Sequence, residues 1–218
     1  PVAGRVLYRL TEPAEVLAKC RVKAVEAFEA VIAHLNAEYE KFCRMSHIPF
    51  RRLPWETNVL TYDELYRQVK AEMGDEIDRI LEGVIEQLRG RNADDREVSM
   101  AIVDEVHKHC SDKNSKIVVY FAPPYYPHNF VRDGDARSDI LLAAVERAVA
   151  EARSVYDYPI VTRRFYPYIS DLSYCGIAAA EHMGKLTENM PAWQLTYHLP
   201  VQAIQAISMP VVNIGPYG

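Results

Sequence analysis

Residues 116–127 read KIVVYFAPPYYP, and this stretch determines the fold class that the sequence predicts. Its β-branched and aromatic run at 117–121 is typical of a strand buried on both faces of a parallel sheet, and the prolines that follow end the strand. The spacing of apolar residues then predicts a helix at 136–156, and a further strand is predicted at 160–168. Strands that alternate with helices favour an α/β fold.

Upstream of this stretch, the sequence predicts a short strand at 6–10 and then a long helix. Thr11-Glu12-Pro13 combines a capping hydroxyl with an early proline, which is typical of a helix start, and the helical pattern continues to about Arg44. The predicted buried stripe of this helix follows three- and four-residue spacing and comprises Val16, Cys20, Ala24, Phe28, Val31 and Leu35.

Two capping boxes predict further helix starts. Thr61 precedes Glu64 by three residues, and Asp94 precedes Glu97 by the same spacing. The first begins an interrupted helical region that ends at Gly90. The second begins a helix whose predicted buried line comprises Val98, Ile102, Val106 and Cys110.

The fold class predicted from these elements is α/β, with part of a mainly parallel sheet and flanking helices. Residues 210–216 are predicted to form a short buried strand that enters a Gly/Pro turn. The sequence places a domain boundary between Leu60 and Arg91, with a small α+β piece on its N-terminal side.

Composition excludes several classes of protein. The chain has 218 residues, 49% hydrophobic and 25% charged, and its 25 Lys+Arg against 30 Asp+Glu give a net charge of −5. This charge argues against a nucleic-acid partner, and no apolar stretch approaches the roughly 18 residues of a membrane span, so we expect no membrane partner. The four scattered cysteines form no C-x-x-C pair, which favours a reducing, cytoplasmic compartment.

Three segments follow predicted strands, where ligands bind in parallel sheets: 123–128, 170–173 and 215–218. The first holds His128, which is either a titratable group beside an aromatic loop or a solvated side chain of a packed loop. In the second, Ser170, Asp171 and Ser173 offer hydroxyls and a carboxylate that can hold a substrate or cap a helix.

The His107-Lys108-His109-Cys110 stretch has the residue types of a metal site but not the spacing. Helical residues two apart point in nearly opposite directions, so His107 and His109 cannot readily hold one ion. Phosphate-loop, dinucleotide, zinc-peptidase and serine-hydrolase motifs are all missing from the sequence.

Five segments together resemble the arginine-utilisation branch of the di-zinc peptidase and aminoacylase (peptidase M20-like) family. They are VLTYDEL at 59–65, YFAPPYYP at 120–127, FYPYISDLSY at 165–174, ENMP at 188–191 and ISMPVVNIGP at 207–216. The resemblance covers nearly the whole chain in order.

Members of that family have an α/β catalytic domain with a paired metal site, interrupted by an α+β lid that commonly mediates dimerisation. The resemblance implies that residues 1–60 are part of the lid and dimerisation domain and that 61–218 are part of the catalytic domain. It further implies a C-terminal fragment of a cytoplasmic, zinc-dependent hydrolase linked to arginine catabolism. We expect a homodimer that acts on a small amino-acid or peptide-like substrate.

The turn at 170–173 is similar in position to the family's substrate-binding turn, which usually reads Gly-Gly/Thr-Ser/Thr-Asp. The resemblance therefore assigns Ser170, Asp171 and Ser173, together with His128, to substrate binding. This sequence lacks the glycines of that turn, so oxyanion or carboxylate contacts from its backbone are not carried over.

The metal-binding motifs of the family have no counterpart in this chain. Its H-x-D motif, its bridging Asp and its Glu-Glu pair lie upstream of the part represented here, and its last His ligand follows the Gly-Pro turn at 215–216. We expect zinc in the full-length protein, and no metal ligand or catalytic residue among these 218 residues. The alternatives are a non-catalytic dimerisation module, with the helix at 13–44 as its surface, and a small-molecule-binding module.

Overall fold

The computed structural model describes residues 12–127, 131, 134–163, 170–177 and 183–215. In chain order, the elements within these residues are α1 (Pro13–Met45), β1 (Val59–Thr61), α2 (Tyr62–Met73), α3 (Glu76–Arg89), α4 (Asp95–His109), β2 (Ile117–Val119), α5 (Ala136–Val155), a 3-10 helix (Asp171–Cys175), α6 (Gly184–Glu188) and α7 (Val201–Ile207). The described chain is mixed α/β, mostly helical, with a small sheet of two parallel strands.

The chain forms two compact units. The first consists of Glu12–Pro124 and Met183–His198, and the second contains the described parts of 125–182 and 199–218. The predicted division of a longer protein into a lid (1–60) and a catalytic domain (61–218) stays a prediction.

Both predicted capping boxes are confirmed. The Thr61 hydroxyl accepts a hydrogen bond from the Glu64 amide (3.3 Å), and the Glu64 carboxylate accepts one from the Thr61 amide (2.9 Å). The Asp94 carboxylate likewise accepts from the Glu97 amide (3.0 Å), and Glu97 accepts in return (3.0 Å). The guanidinium of Arg96, together with the backbone amides of Glu97 and Arg96, lowers the pKa of Asp94 to about 2. Each box satisfies amides that the first helical turn leaves without partners.

Helices α2, α3 and α4 bury one continuous apolar core in the first unit. Leu65 and Val69 of α2, Ile77 of α3, and Ile102 and Val106 of α4 are all fully buried. The predicted buried line of α4, including Cys110, is confirmed. Because these side chains belong to helices with short connections, the core forms from segments close in sequence.

The sheet is smaller than the sequence predicts. Val59 pairs with Ile117 and Thr61 with Val119 in a parallel register. β2 is half-buried rather than buried on both faces, and it ends two residues before the predicted end. The reason is at Phe121, whose amide donates to the carbonyl of Asn189 (2.7 Å) instead of to a strand.

Helix α1 has its predicted length but a different buried face. Val16 is buried, as predicted, and Phe28 is half-buried, whereas Cys20, Val31 and Leu35 are exposed. The residues that α1 buries are Pro13, Val16, Leu17, Ile32 and Cys43. The prediction was partly wrong because a 33-residue helix packs on different neighbours along its length, so no single stripe describes it.

The C-terminal half of α1 is covered on one side by the segment that follows the helix. The Leu53 amide donates to the side-chain oxygen of Asn36 (2.8 Å), and the rings of Tyr39 and Phe50 lie 5.8 Å apart. Through these contacts, the segment that follows α1 runs back along the face of the helix that carries Ile32. Val31, Leu35 and Phe42 lie on a different face and stay exposed.

Two further strand predictions are wrong for the residues that the structure describes. Residues 160–163 and 210–214 are irregular and largely exposed. In the described chain, no strand lies beside these apolar residues. The β propensity of such residues depends on packing against a neighbouring strand. Residues 6–10 and 164–168, also predicted as strand, lie outside the described residues. The helix predicted at 136–156 is confirmed as α5.

Within the described ranges, no helix combines enough length with enough apolar character to cross a bilayer.

Replacing Ile102 by alanine tests the placement of the core. Ile102 is fully buried between α2 and α3 partners, so Ile102→Ala removes packed methyl groups and leaves a cavity. We expect a loss of about 2–5 kcal/mol in the free energy of unfolding, measured by urea denaturation. Met100→Ala, on the exposed side of the same helix, is the control and should change stability by about 0.5 kcal/mol or less. Equal midpoints for the two variants would contradict this placement.

Candidate functional site

Ser170 is the N-cap of the 3-10 helix Asp171–Cys175. We call these six residues, 170–175, the serine turn. The Ser170 hydroxyl accepts a hydrogen bond from the Leu172 amide (3.3 Å), and its carbonyl accepts one from the Ser173 amide (3.0 Å). Ser170 therefore caps the helix, which was one of the two roles open for it from sequence. The backbone amides of Leu172 and Ser173 are thus hydrogen-bonded within the turn.

The period of a 3-10 helix places residues three apart on the same side. Asp171 and Tyr174, which both belong to the 3-10 helix, thus share one side of the serine turn. The Asp171 carboxylate is exposed, whereas Ser173 and Tyr174 are half-buried.

The first predicted segment meets the serine turn through tyrosines. The Tyr174 hydroxyl donates to the carbonyl of Tyr125 (3.2 Å). The rings of Tyr126 and Tyr174, which we call the aromatic pair, have centroids 5.5 Å apart and an interplanar angle of 42°. This tilted arrangement is one that aromatic pairs favour, and it fixes the orientation of both rings.

The C-terminal segment meets another side of the serine turn. The Ser170 hydroxyl donates to the side-chain oxygen of Asn213 (3.1 Å), and the Met209 amide donates to the carbonyl of Cys175 (2.8 Å). Segments more than 30 residues apart in sequence are therefore held against a turn of six residues. All these residues belong to the second compact unit.

The structure brings residues of the first predicted segment against the serine turn, which contains the second, whereas the C-terminal contacts come from Met209 and Asn213, which precede the third predicted segment (215–218). Ser170, Asp171 and Ser173 lie in the serine turn, whereas His128 and residues 216–218 lie outside the described residues. Sequence reasoning missed Tyr126, Tyr174 and Asn213 as site residues. All three are in the segments quoted for the family resemblance, which is the signal that could have found them.

A paired metal site does not fit the part of the chain that is described. In those residues, no three histidine, cysteine, aspartate or glutamate side chains come together as a metal cluster. His109 lies 3.2 Å from Glu105 on the same helix, and the Nε2 atom of His107 is buried without a described hydrogen-bond partner. We derive no chemical step through a metal from these residues.

Two backbone donors of the serine turn are used within the turn. The turn amides of Leu172 and Ser173 are used, while the Asp171 carboxylate is exposed and the aromatic pair adds the faces of two rings. Carboxylates, hydroxyls and tyrosine rings bind polar and cationic parts of small molecules. Among the residues named, the arrangement contains no nucleophile paired with a base.

Comparison with curated proteins gives two relatives from Bacillus subtilis (strain 168). The chain is 22% identical to Protein RocB over 194 residues, which are 88% of this chain and 34% of that protein. It is 29% identical to the uncharacterised protein YqjN over 196 residues, which are 89% of this chain and 34% of that protein. The chain spans about a third of the length of these relatives. No family model and no solved structure matches it.

Removing the Ser170 hydroxyl tests the cap of the serine turn. Ser170→Ala removes the acceptor of the Leu172 amide, and a lost cap costs about 1 kcal/mol, so that amide should exchange with solvent roughly five times faster. Hydrogen exchange followed by NMR measures this rate. Ser173→Ala is the matched control, because the contacts described for Ser173 use its backbone. An unchanged rate in Ser170→Ala would show that the cap does not hold the turn.

Proposed function

We propose that this chain forms part of the substrate-binding surface of a longer, cytoplasmic, zinc-dependent hydrolase linked to arginine catabolism. The observation that carries the proposal is that segments 125–126 and 209–213 both contact the serine turn at 170–175. Each of these segments is also part of the resemblance to the arginine-utilisation branch. The similarity to RocB and YqjN over nearly nine-tenths of this chain supports the same reading.

In this proposal, the serine turn and the aromatic pair orient a small amino-acid or peptide-like substrate. Tyr174 is held by its hydrogen bond to the Tyr125 carbonyl, and Tyr126 packs against it at 5.5 Å. A ring fixed in this way offers contact area without losing much side-chain freedom when a ligand binds. Ser170 and Asn213 fix the other side of the turn.

Hydrolysis itself is assigned to the longer protein. A paired zinc site would supply an activated water, and we assign no residue of this chain to hold the ions. The residues of this chain would instead bind and position the substrate, so they should affect its binding more than the chemical step.

Replacing a member of the aromatic pair in the full-length protein tests this role. For hydrolysis of N-acyl amino acids and dipeptides, Tyr126→Ala should raise KM about 5- to 30-fold with little change in kcat, because a lost aromatic contact costs roughly 1–2 kcal/mol in both the bound substrate and the transition state. Tyr158→Ala is the matched control, since Tyr158 is a largely exposed tyrosine of the same unit.

A chelator should abolish hydrolysis by the full-length protein, and zinc should restore it. An active full-length protein in which Tyr126→Ala leaves KM unchanged would contradict the assignment of this surface. A full-length protein that binds these compounds and hydrolyses none would favour the small-molecule-binding module instead.

A second candidate is a dimerisation module, and one feature of α1 favours it. Val31, Leu35, Phe42 and Met45 are exposed at 57%, 37%, 57% and 81%, and their spacing follows a heptad pattern along one face of the helix. Exposed apolar side chains in such a row are typical of helix pairing. A homodimer through α1 uses none of the residues of the serine turn, which belongs to the other compact unit.

Changing the exposed row on α1 tests the homodimer. Sedimentation of the chain should give twice its mass of 24.9 kDa, and Leu35→Asp should weaken association at least tenfold, because it places a charge in the apolar row. Ile140→Asp, at an apolar position of α5 that is 69% exposed, is the control and should leave association unchanged. A chain that stays monomeric at every concentration would exclude this candidate.

A further inference from the structure

The C-terminal end of α1 and the segment after it form a basic and apolar surface, which we call the α1 tip (residues 41–52). The tip contains four Lys or Arg residues and no Asp or Glu, whereas the whole chain has a net charge of −5. Its large exposed apolar side chains are those of Phe42, Met45, Ile48 and Phe50, with exposed fractions of 57%, 81%, 44% and 40%. Positive charge and exposed apolar area therefore occur together in one short segment.

A tight turn closes the end of the helix. The His47 amide donates to the Arg44 carbonyl (3.4 Å), and the Ile48 amide donates to the Cys43 carbonyl (3.0 Å). His47 has a left-handed backbone, with φ at 56°. These two hydrogen bonds around a left-handed residue are the pattern of a Schellman motif, which ends a helix and turns the chain. The motif fixes Ile48 at the end of α1.

The segment after this turn lies beside the last turns of α1. The rings of Phe50 and Tyr39 have centroids 5.8 Å apart. A hydrogen bond with Cys43 raises the pKa of the Tyr39 hydroxyl, and the positive charge of Arg51 counteracts part of that rise. Phe50 and Arg51 are therefore both held near the ring of Tyr39, and the helix end and the returning segment make one surface.

The outward side of the last helical turn carries both kinds of side chain. Successive helical residues are about 100° apart around the axis, so residues 41, 42, 44 and 45 fall on the arc that faces away from Cys43. Cys43 is 1% exposed, whereas these four residues are exposed. Around the arc the order is Arg44, Lys41, Met45 and Phe42. A basic half of the arc thus lies directly beside an apolar half.

Three arginines of the tip have no carboxylate partner within the described ranges. Lys41 forms an ion pair with Glu38 (2.5 Å), but Arg44, Arg51 and Arg52 are exposed and form no ion pair there. Like charges that are close together and not neutralised attract an anionic partner. The tip therefore has a charge opposite to that of the chain as a whole.

An anionic lipid surface fits this combination of groups. Guanidinium groups bind phosphates with paired hydrogen bonds, and in a bilayer the apolar acyl chains begin directly below the phosphates. A protein interface of standard size uses about 20–30 residues on each side, which is more than the tip offers. Contact between the tips of two copies would bring the same arginines together, and they would repel one another.

We propose that the α1 tip binds the surface of an anionic phospholipid bilayer. The arginines contact the lipid phosphates, and Phe42, Met45 and Ile48 enter the boundary between head groups and acyl chains. The expectation of no membrane partner rested on the lack of a spanning stretch, and a peripheral contact needs no such stretch. The proposal depends neither on the serine turn nor on hydrolysis.

Sedimentation of the 218-residue chain with vesicles tests the proposal. One kind of vesicle contains phosphatidylcholine alone, and the other contains phosphatidylcholine and phosphatidylglycerol in roughly equal amounts. At low salt, we expect the chain to bind the anionic vesicles at least tenfold more tightly than the neutral ones. Added salt should remove most of this difference, because it screens the attraction between the arginines and the phosphates.

Variants of the basic side chains locate the contact. Arg51→Gln combined with Arg52→Gln should weaken binding to the anionic vesicles roughly 30-fold, because each basic side chain near such a surface contributes about fivefold. Arg79→Gln combined with Arg91→Gln is the matched control. It removes the same charge at two exposed arginines of the same compact unit, and it should weaken binding less than threefold.

A variant of the apolar half tests insertion. Met45→Ser should weaken binding to the anionic vesicles several-fold, including at raised salt, because it removes the most exposed apolar side chain of the tip. Far-UV circular dichroism checks that each variant keeps its helices. Leu35→Asp, which should weaken the homodimer, should still sediment with the anionic vesicles, since residue 35 lies outside the tip.

Four results would overturn the proposal. They are the absence of sedimentation with either vesicle, equal losses in the two arginine double variants, loss of vesicle binding in Leu35→Asp, and binding to polyglutamate without binding to vesicles. The last result would assign the tip to an acidic protein instead. None of these results affects the KM measurement on Tyr126→Ala, which tests the substrate-binding role separately.

Discussion

The buried amide of Asn189 holds together the part of the first unit in which strand ends and helix starts meet. Its side-chain oxygen accepts from the Asp63 amide (3.1 Å), and its side-chain nitrogen donates to the Lys185 carbonyl (3.0 Å). Its own carbonyl accepts from the Phe121 amide (2.7 Å), and the residue is 1% exposed. An apolar residue at 189 would leave buried polar groups without partners, and each such group costs about 1–3 kcal/mol. The start of α2 is held by this side chain, and the end of β2 by the backbone carbonyl of the same residue.

Local signals in the sequence predicted local structure well. Thr61 with Glu64, and Asp94 with Glu97, form their capping boxes because every participating atom lies within one helical turn. The buried line of α4 was equally predictable, since the helix is short and packs on one pair of neighbours. By contrast, Val31 and Leu35 of α1 continue an apolar spacing that begins at Val16, yet only Val16 is buried. Periodicity indicates a helix and an apolar face, but not which neighbour covers that face.

Strands were predicted less well, because a strand exists only if another strand lies beside it. The apolar residues at 117–119 have β1 as a partner and form β2, whereas those at 210–214 have no strand partner in the described chain and stay irregular.

The candidate site shows a related pattern. Ser170 and Asp171 were found from their residue types, but Tyr126 and Asn213 depend on contacts across more than 40 residues. No spacing rule reports such contacts: the end of a predicted strand pointed to the segment of Tyr126, and the family resemblance pointed to the segments of both residues.

The serine at the start of the serine turn has a physical consequence for its chemistry. A glycine-rich turn leaves its backbone amides open to a ligand, and such amides favour an anion. In this chain a serine occupies the start of the turn, and its hydroxyl and carbonyl accept the amides of Leu172 and Ser173. Those two amides are therefore used within the turn, and the charged group that the turn carries is the exposed Asp171 carboxylate. The cap that Ser170 provides therefore takes two backbone donors of the turn out of use for a ligand.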